Sequence, residues 1–180
     1  MIQRIQSLWL LLAACCMVLC FLFPVAEYHM EISSMQQTVV SELNLMAKDV
    51  PDCTEQMMVQ GATLEYGQKL TGFATWPLIV LAFITIGMAL ASILLFKNRV
   101  AQMRLVAVTF LLNVVYVFLV FFWAVDAYAD AIPQVMHDAD PQVSWAVGSY
   151  APIVSLLFLV LAHRGIKKDE AMVRAADRLR

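Results

Sequence analysis

Four long apolar segments, each free of Asp, Glu, Lys and Arg, constrain what this chain can fold into more than any other feature. They cover approximately residues 5–26, 76–96, 105–125 and 145–162. An α-helix rises about 1.5 Å per residue, so roughly 20 apolar residues cross the ~30 Å hydrocarbon core of a bilayer. A helix of a soluble protein normally keeps one polar face, and these segments are apolar all round. The pattern predicts an all-α membrane protein, a four-helix transmembrane bundle.

The composition excludes an ordinary soluble domain. The 180 residues are 62% hydrophobic and only 14% charged, whereas soluble domains carry about 25% charged residues. We expect a single membrane domain over residues 1–180, with a long exterior loop at 27–75 between spans one and two and a cytoplasmic tail at 163–180. The chain lacks a continuous basic face, so nucleic acid is not expected as a partner.

The basic residues give the expected orientation. When the four spans alternate across the membrane, ten of the twelve Lys and Arg residues fall on one side. They are Arg4, Lys97, Arg99, Arg104, Arg164, Lys167, Lys168, Arg174, Arg178 and Arg180. Because short cytoplasmic segments retain Lys and Arg, both termini are predicted to be cytoplasmic. Trp76, Trp123 and Trp145 lie at the opposite ends of three spans, which is typical of an interfacial aromatic belt.

The exterior loop is long enough to contain structure of its own. Apolar residues recur on one helical face from Ile32 to Val50, which predicts an amphipathic helix ended by Pro51. The segment TVVSELNLM is also typical of a strand, and MMVQGATLEYGQ is able to pair with it or with itself around Gly61. A small sheet is therefore an alternative. The inner connection KNRVAQMR is short, so spans two and three are expected to form an antiparallel hairpin.

The tail from Gly165 to Arg180 has apolar residues at helical spacing, which predicts an amphipathic cytoplasmic helix. A topology-setting extension of span four and a docking site for a cytoplasmic partner both fit this pattern. The candidate cytoplasmic interaction face consists of Arg4, Lys167, Lys168, Asp169, Glu170, Arg174 and Arg178.

Residues that carry chemistry are scarce in the spans. Asn113 is the most polar side chain near the middle of one, and Tyr116 follows one turn later on the same face. An amide in hydrocarbon needs partners, so these two residues predict an interhelical polar contact inside the bundle. The sequence has no phosphate-binding loop, nucleophile elbow or zinc-type pair, and no acidic or basic residue lies within a span. We therefore expect no catalytic, cofactor or metal site, and a protein that is not an enzyme.

Both ends of the chain carry more specific motifs. The opening MIQRIQSLWLLLAA, the turn FKNRVAQMRL and the ending HRGIKKDEAMVRAADRLR resemble the bacterial domain-of-unknown-function family 4293, across essentially the whole chain. The resemblance implies a multi-pass protein of the inner (cytoplasmic) membrane of a Gram-negative bacterium, and it implies no activity. Because the two ends converge on one membrane face, we expect them to touch, with Arg4 near Asp169 or Glu170.

The favoured function is a scaffold, assembly factor or accessory subunit of a membrane complex. Its expected partners are the lipid bilayer and other membrane proteins or further copies of itself. An oligomeric small-solute transporter or channel component is the alternative. A hydrated cavity reaching Asn113 would favour transport, whereas a dry core with grooves on the outer surface would favour a scaffold.

Overall fold

Four helices and a small sheet make up the part of the chain that the computed structural model describes, residues 2–32, 37–43, 45, 75–127 and 141–178. The helices are α1 (Ile2–Leu22), α2 (Trp76–Leu94), α3 (Arg99–Leu119) and α4 (Val147–Arg178). The strands are β1 (Ala26–Ile32), β2 (Gln37–Leu43) and β3 (Pro141–Trp145). A 3-10 turn, Leu95–Lys97, follows α2, and a π-helical turn, Val120–Ala124, continues α3.

All four helices are long and apolar enough to cross a membrane. Their outer faces expose large apolar side chains, such as Leu94, which is 77% exposed, Leu111 and Leu157. Small or polar residues such as Ala82 and Ser92 lie on the buried faces. In water this much exposed apolar surface would favour aggregation, whereas lipid tails accommodate it. The arrangement is compatible with a multi-pass membrane protein.

Short local signals build the α2–α3 hairpin. Pro77 lies in the first turn of α2, where its missing N–H costs no helical hydrogen bond. Asn98 separates the 3-10 turn from α3, and its side-chain oxygen accepts a hydrogen bond from the Ala101 N–H at 3.3 Å. That bond satisfies one of the free donors at the start of α3. The two helices therefore pack antiparallel through a tight turn, as the short inner connection predicts.

Three antiparallel strands form a sheet at the opposite end of the bundle, in the order β2-β1-β3. Tyr28 pairs with Ser41 of β2 on one side and with Val143 of β3 on the other. We call this the sheet end, and the end with the turn Leu95–Lys97 the hairpin end. β1 follows α1 closely, so the first helix ends at Leu22 rather than at Ala26, with Pro24 in the connection.

The sheet corrects two predictions. The described chain is mostly helical rather than all-α, and the amphipathic helix predicted from Ile32 to Val50 is wrong across 37–43. The chain forms β2 there, as the alternative interpretation of TVVSELNLM predicts. Strand pairing explains the difference. The register places Val39 and Val40 opposite Met30 and His29, so the backbone groups of this segment bond to β1 rather than within a helix. Residues 46–74, with the predicted second half of that helix and Gly61, lie outside the described residues.

The sheet is fixed to the bundle where α1 ends and α4 begins. The Gly148 N–H donates to Pro24 O at 2.9 Å, and the Ala146 N–H donates to Val25 O at 3.2 Å. A Cβ on Gly148 would lie only 2.5 Å from Pro24 O, so a side chain does not fit there. Tyr28 completes the junction, since its buried hydroxyl donates to Val125 O at 2.9 Å.

Two apolar clusters fill the interior. The cluster toward the hairpin end contains Leu10, Ala13, Val106, Leu159, Ala162 and Ile166. The cluster toward the sheet end joins Met17, Cys20, Tyr116 and Val120 of the helices to Ala26, Tyr28 and Leu43 of the strands. Asn113 lies on α3 between the stretches that supply the two clusters.

Candidate functional site

Asn113 joins three helices through a chain of hydrogen bonds. Its side-chain Nδ2 donates to Ser155 Oγ of α4 at 3.0 Å and lies 3.5 Å from Pro152 O. The Ser155 hydroxyl in turn donates to Ala13 O of α1 at 3.1 Å. Asn113 and Ser155 are each 1% exposed. Direct bonds between buried groups of different helices resist separation of α1, α3 and α4, because surrounding lipid would offer the released groups no hydrogen-bond partner.

A polar stripe on α3 leads to this contact. Gln102, Thr109, Asn113 and Tyr116 are all buried and recur at helical spacing along one face. Thr109 donates to Leu105 O of its own helix at 2.9 Å. On α2, Thr85 and Ser92 likewise donate to Ala82 O and Ala89 O. Each of these hydroxyls donates its proton to a carbonyl oxygen of its own helix, so its oxygen remains available as a hydrogen-bond acceptor inside the bundle.

Two atoms at the centre of the stripe remain without a hydrogen-bond partner among the described residues. They are Asn113 Oδ1 and the hydroxyl of Tyr116. Cys20 of α1 lies beside the Tyr116 hydroxyl, but its thiol is directed to Cys16 O at 3.7 Å. Tyr116 is therefore near Asn113 without sharing the bond to Ser155.

A second buried polar contact ties α1 to α4 at the hairpin end. Gln6 Nε2 donates to Asp169 Oδ2, and Asp169 is only 7% exposed. Gly165 allows the approach, because a Cβ there would lie 3.0 Å from Gln6 Cγ. Among the side chains that the structure describes, Asp169 is the one buried charged residue. Its other oxygen, Oδ1, has no partner in that part of the chain.

A comparison with known protein families found a match over almost the whole chain. The sequence profile of the domain of unknown function DUF4293 matches residues 2–179. The chain belongs to the DUF4293 family. No curated protein matched it. The match covers both polar contacts, and family membership assigns no activity to either.

The predicted cytoplasmic face of this DUF4293 chain is only partly a surface. Lys167 and Lys168 are exposed, whereas Asp169 is buried against Gln6 and Glu170 is half-buried. The side chains of Arg4, Arg174 and Arg178 lie outside the described part. Gln6 is the residue of α1 that the structure places against Asp169, and the predicted contact of Arg4 lies outside the described side chains.

The sequence predicts Asn113 and Asp169 as contact residues of the DUF4293 chain, but it does not predict their partners Ser155 and Gln6. A usable signal existed, since a polar residue at an otherwise apolar interior position must find a partner on a neighbouring helix. Among the residues described, no group of three His, Cys, Asp or Glu side chains is arranged to hold a metal ion.

Proposed function

We propose that the chain is a bacterial inner-membrane protein that acts as a scaffold, assembly factor or accessory subunit, with its partner bound at the hairpin end. The observation that carries this proposal is the length and exposure of α4. Gln6 of α1 bonds to Asp169 of α4, and α4 continues beyond this contact as a helix to Arg178. The helix therefore presents a fixed surface next to the membrane.

The length of α4 supports a projecting segment. Its 32 residues span about 48 Å at about 1.5 Å per residue, more than the ~30 Å core of a bilayer. Lys167 and Lys168 lie about 30 Å along the helix from Val147 and suit the headgroup level. Met172 and Val173 follow them, and each is 44% exposed. Apolar side chains beyond the core, next to cations, suit a partner helix with apolar and acidic residues.

The positions of charged and aromatic residues support a cytoplasmic hairpin end. Arg164, Lys167 and Lys168 are exposed there, in accord with the retention of Lys and Arg on the cytoplasmic side. Trp76, Trp123 and Trp145 are exposed toward the sheet end, at the level expected of the outer headgroups. Both termini are then cytoplasmic, and the sheet faces the exterior.

Site-specific photo-crosslinking tests the partner proposal. A photoreactive amino acid replaces Met172 or Val173 in the full-length protein in native membranes, and Leu111, which faces outward in mid-span, provides the control position. We expect both α4 positions to capture the same protein, the control to capture none of it, and Met172→Ser with Val173→Ser to reduce co-purification of that protein. Recovery of the chain alone as a homogeneous monomer, without adducts at either position, would contradict the proposal.

An oligomeric small-solute transporter is the second candidate, and the polar stripe of α3 is the observation that favours it. Stacked polar side chains inside a bundle are able to line a path. Reconstitution in liposomes followed by solute-efflux measurements tests this candidate. Efflux that depends on Asn113 would support it, whereas equal efflux from empty liposomes would count against it.

A further inference from the structure

One buried polar atom of Asn113 and one of Tyr116 are unsatisfied hydrogen-bonding groups. Asn113 Oδ1 and the Tyr116 hydroxyl have no partner within the described ranges, and both side chains are essentially inaccessible. Residues three apart on a helix are neighbours on one face, about 5–6 Å apart at Cβ. The two side chains therefore share one face of α3, in a region where lipid supplies no hydrogen bonds.

The neighbouring donors are already directed elsewhere. The amide of Asn113 is directed to Ser155 Oγ and Pro152 O, and the proton of Ser155 is directed to Ala13 O. Thr109, one turn earlier on α3, donates to Leu105 O. Asn113 Oδ1 needs a donor that these side chains do not provide.

We infer that the centre of the bundle binds internal water between Asn113 and Tyr116. A water molecule donates to Asn113 Oδ1 and exchanges a hydrogen bond with the Tyr116 hydroxyl, and the second lone pair of Ser155 Oγ offers a further acceptor. Buried waters typically make about three such bonds to protein groups. Water is the small uncharged molecule present in excess at both membrane surfaces. This inference does not depend on the partner proposed for the hairpin end.

Water-edited solid-state NMR of the full-length protein in lipid bilayers tests the site directly. Magnetisation passes from water to nearby labelled side chains, so the build-up rate measures proximity to water. Asn98, exposed at the hairpin, is the positive control, and Val120, buried without polar side-chain atoms, is the negative control. We expect the Asn113 amide to build up nearly as fast as Asn98. A rate equal to that of Val120 would overturn the inference.

The variant Tyr116→Phe distinguishes a Tyr116 hydroxyl that is bonded to water from one that has no hydrogen-bond partner. If water bridges the two residues, Phe removes one of its partners, so the Asn113 build-up rate falls toward that of Val120 and the melting temperature decreases. If the hydroxyl is an orphan, its removal leaves the melting temperature unchanged or raises it, and that result contradicts the inference. Tyr150→Phe is the matched control, because Tyr150 is exposed on α4, and it should change neither quantity.

Discussion

At the scale of single residues, Asn113 shows how a polar side chain strengthens a bundle in lipid. Apolar contact between helices gains little there, because lipid tails are as apolar as the side chains they replace. The bond from Asn113 to Ser155, extended by Ser155 to Ala13 O, supplies a directional interaction between helices that are distant in sequence. The same residue is therefore central both to the stability of the fold and to the proposed water site.

Replacement of Asn113 measures this interaction. Asn113→Leu removes the donor to Ser155 while keeping a similar volume, and we expect a loss of about 1 kcal/mol in the free energy of unfolding, the usual scale for interhelical hydrogen bonds. Val114→Leu, at an exposed position on the same helix, is the control. Unfolding of the purified protein by denaturing detergent provides the measurement. Equal stability of the two variants would show that the contact contributes nothing.

Gly148 and Gly87 form a second test at the residue scale. A Cβ on Gly148 would lie 2.5 Å from the backbone oxygen of Pro24, whereas a Cβ on Gly87 would meet nothing within 4 Å. Gly148→Ala should therefore destabilise the protein by about 1–3 kcal/mol, as overpacking does, and Gly87→Ala should be tolerated. Thermal unfolding in detergent distinguishes them, and similar melting temperatures would contradict the close approach of α4 to Pro24.

At the scale of elements, the sequence predicted the helices and their hairpin, gave a small sheet only as an alternative, and did not predict the strands β1 and β3. An uncharged apolar segment of about 20 residues crosses a bilayer as an α-helix, because only a helix satisfies its backbone groups within the segment. Local sequence therefore predicts the helices α1 to α4. The segment around Val39 fits either a 3.6- or a 2-residue period. Its choice depends on β1 and, through β1, on β3 more than a hundred residues along the chain, which local sequence does not reveal.

The polar contacts show the same division between local and distant information. The position of Asn113 inside the bundle follows from its polarity in an apolar span. Its partner Ser155 follows only from the packing of α3 against α4. Asp169 was predicted as part of the cytoplasmic interaction face and as a possible contact of Arg4, but the rotation of α4 directs it toward Gln6.

The contact between Gln6 and Asp169 yields a prediction for α1 and α4 as elements. Asp169→Leu removes the acceptor, so the first turns of α1 should open more readily and their amides should exchange hydrogen faster. Asp169→Asn retains a side-chain oxygen and should change exchange less. Hydrogen-exchange mass spectrometry compares the α1 start with the sheet end, which should be unaffected in both variants. Unchanged exchange of α1 in Asp169→Leu would mean that Gln6 does not secure it.

At the scale of the whole molecule, the two ends of the bundle differ in structure and in charge. The sheet end has strands, exposed tryptophans and the tight junction at Gly148, whereas the hairpin end has exposed lysines and the projecting part of α4. The proposed binding of a partner at the hairpin end requires that end to face the cytoplasm, since a cytoplasmic partner reaches only that face.

Cysteine labelling across a sealed membrane measures the orientation most directly. In full-length protein whose four native cysteines are replaced by serine, a single cysteine is introduced at Val173 or at Val143, which are both exposed and belong to opposite ends. With a membrane-impermeant maleimide, spheroplasts should label the cysteine at 143 and not the one at 173, and inverted inner-membrane vesicles should show the reverse. Labelling at 173 in intact spheroplasts, with 143 protected, would contradict the account.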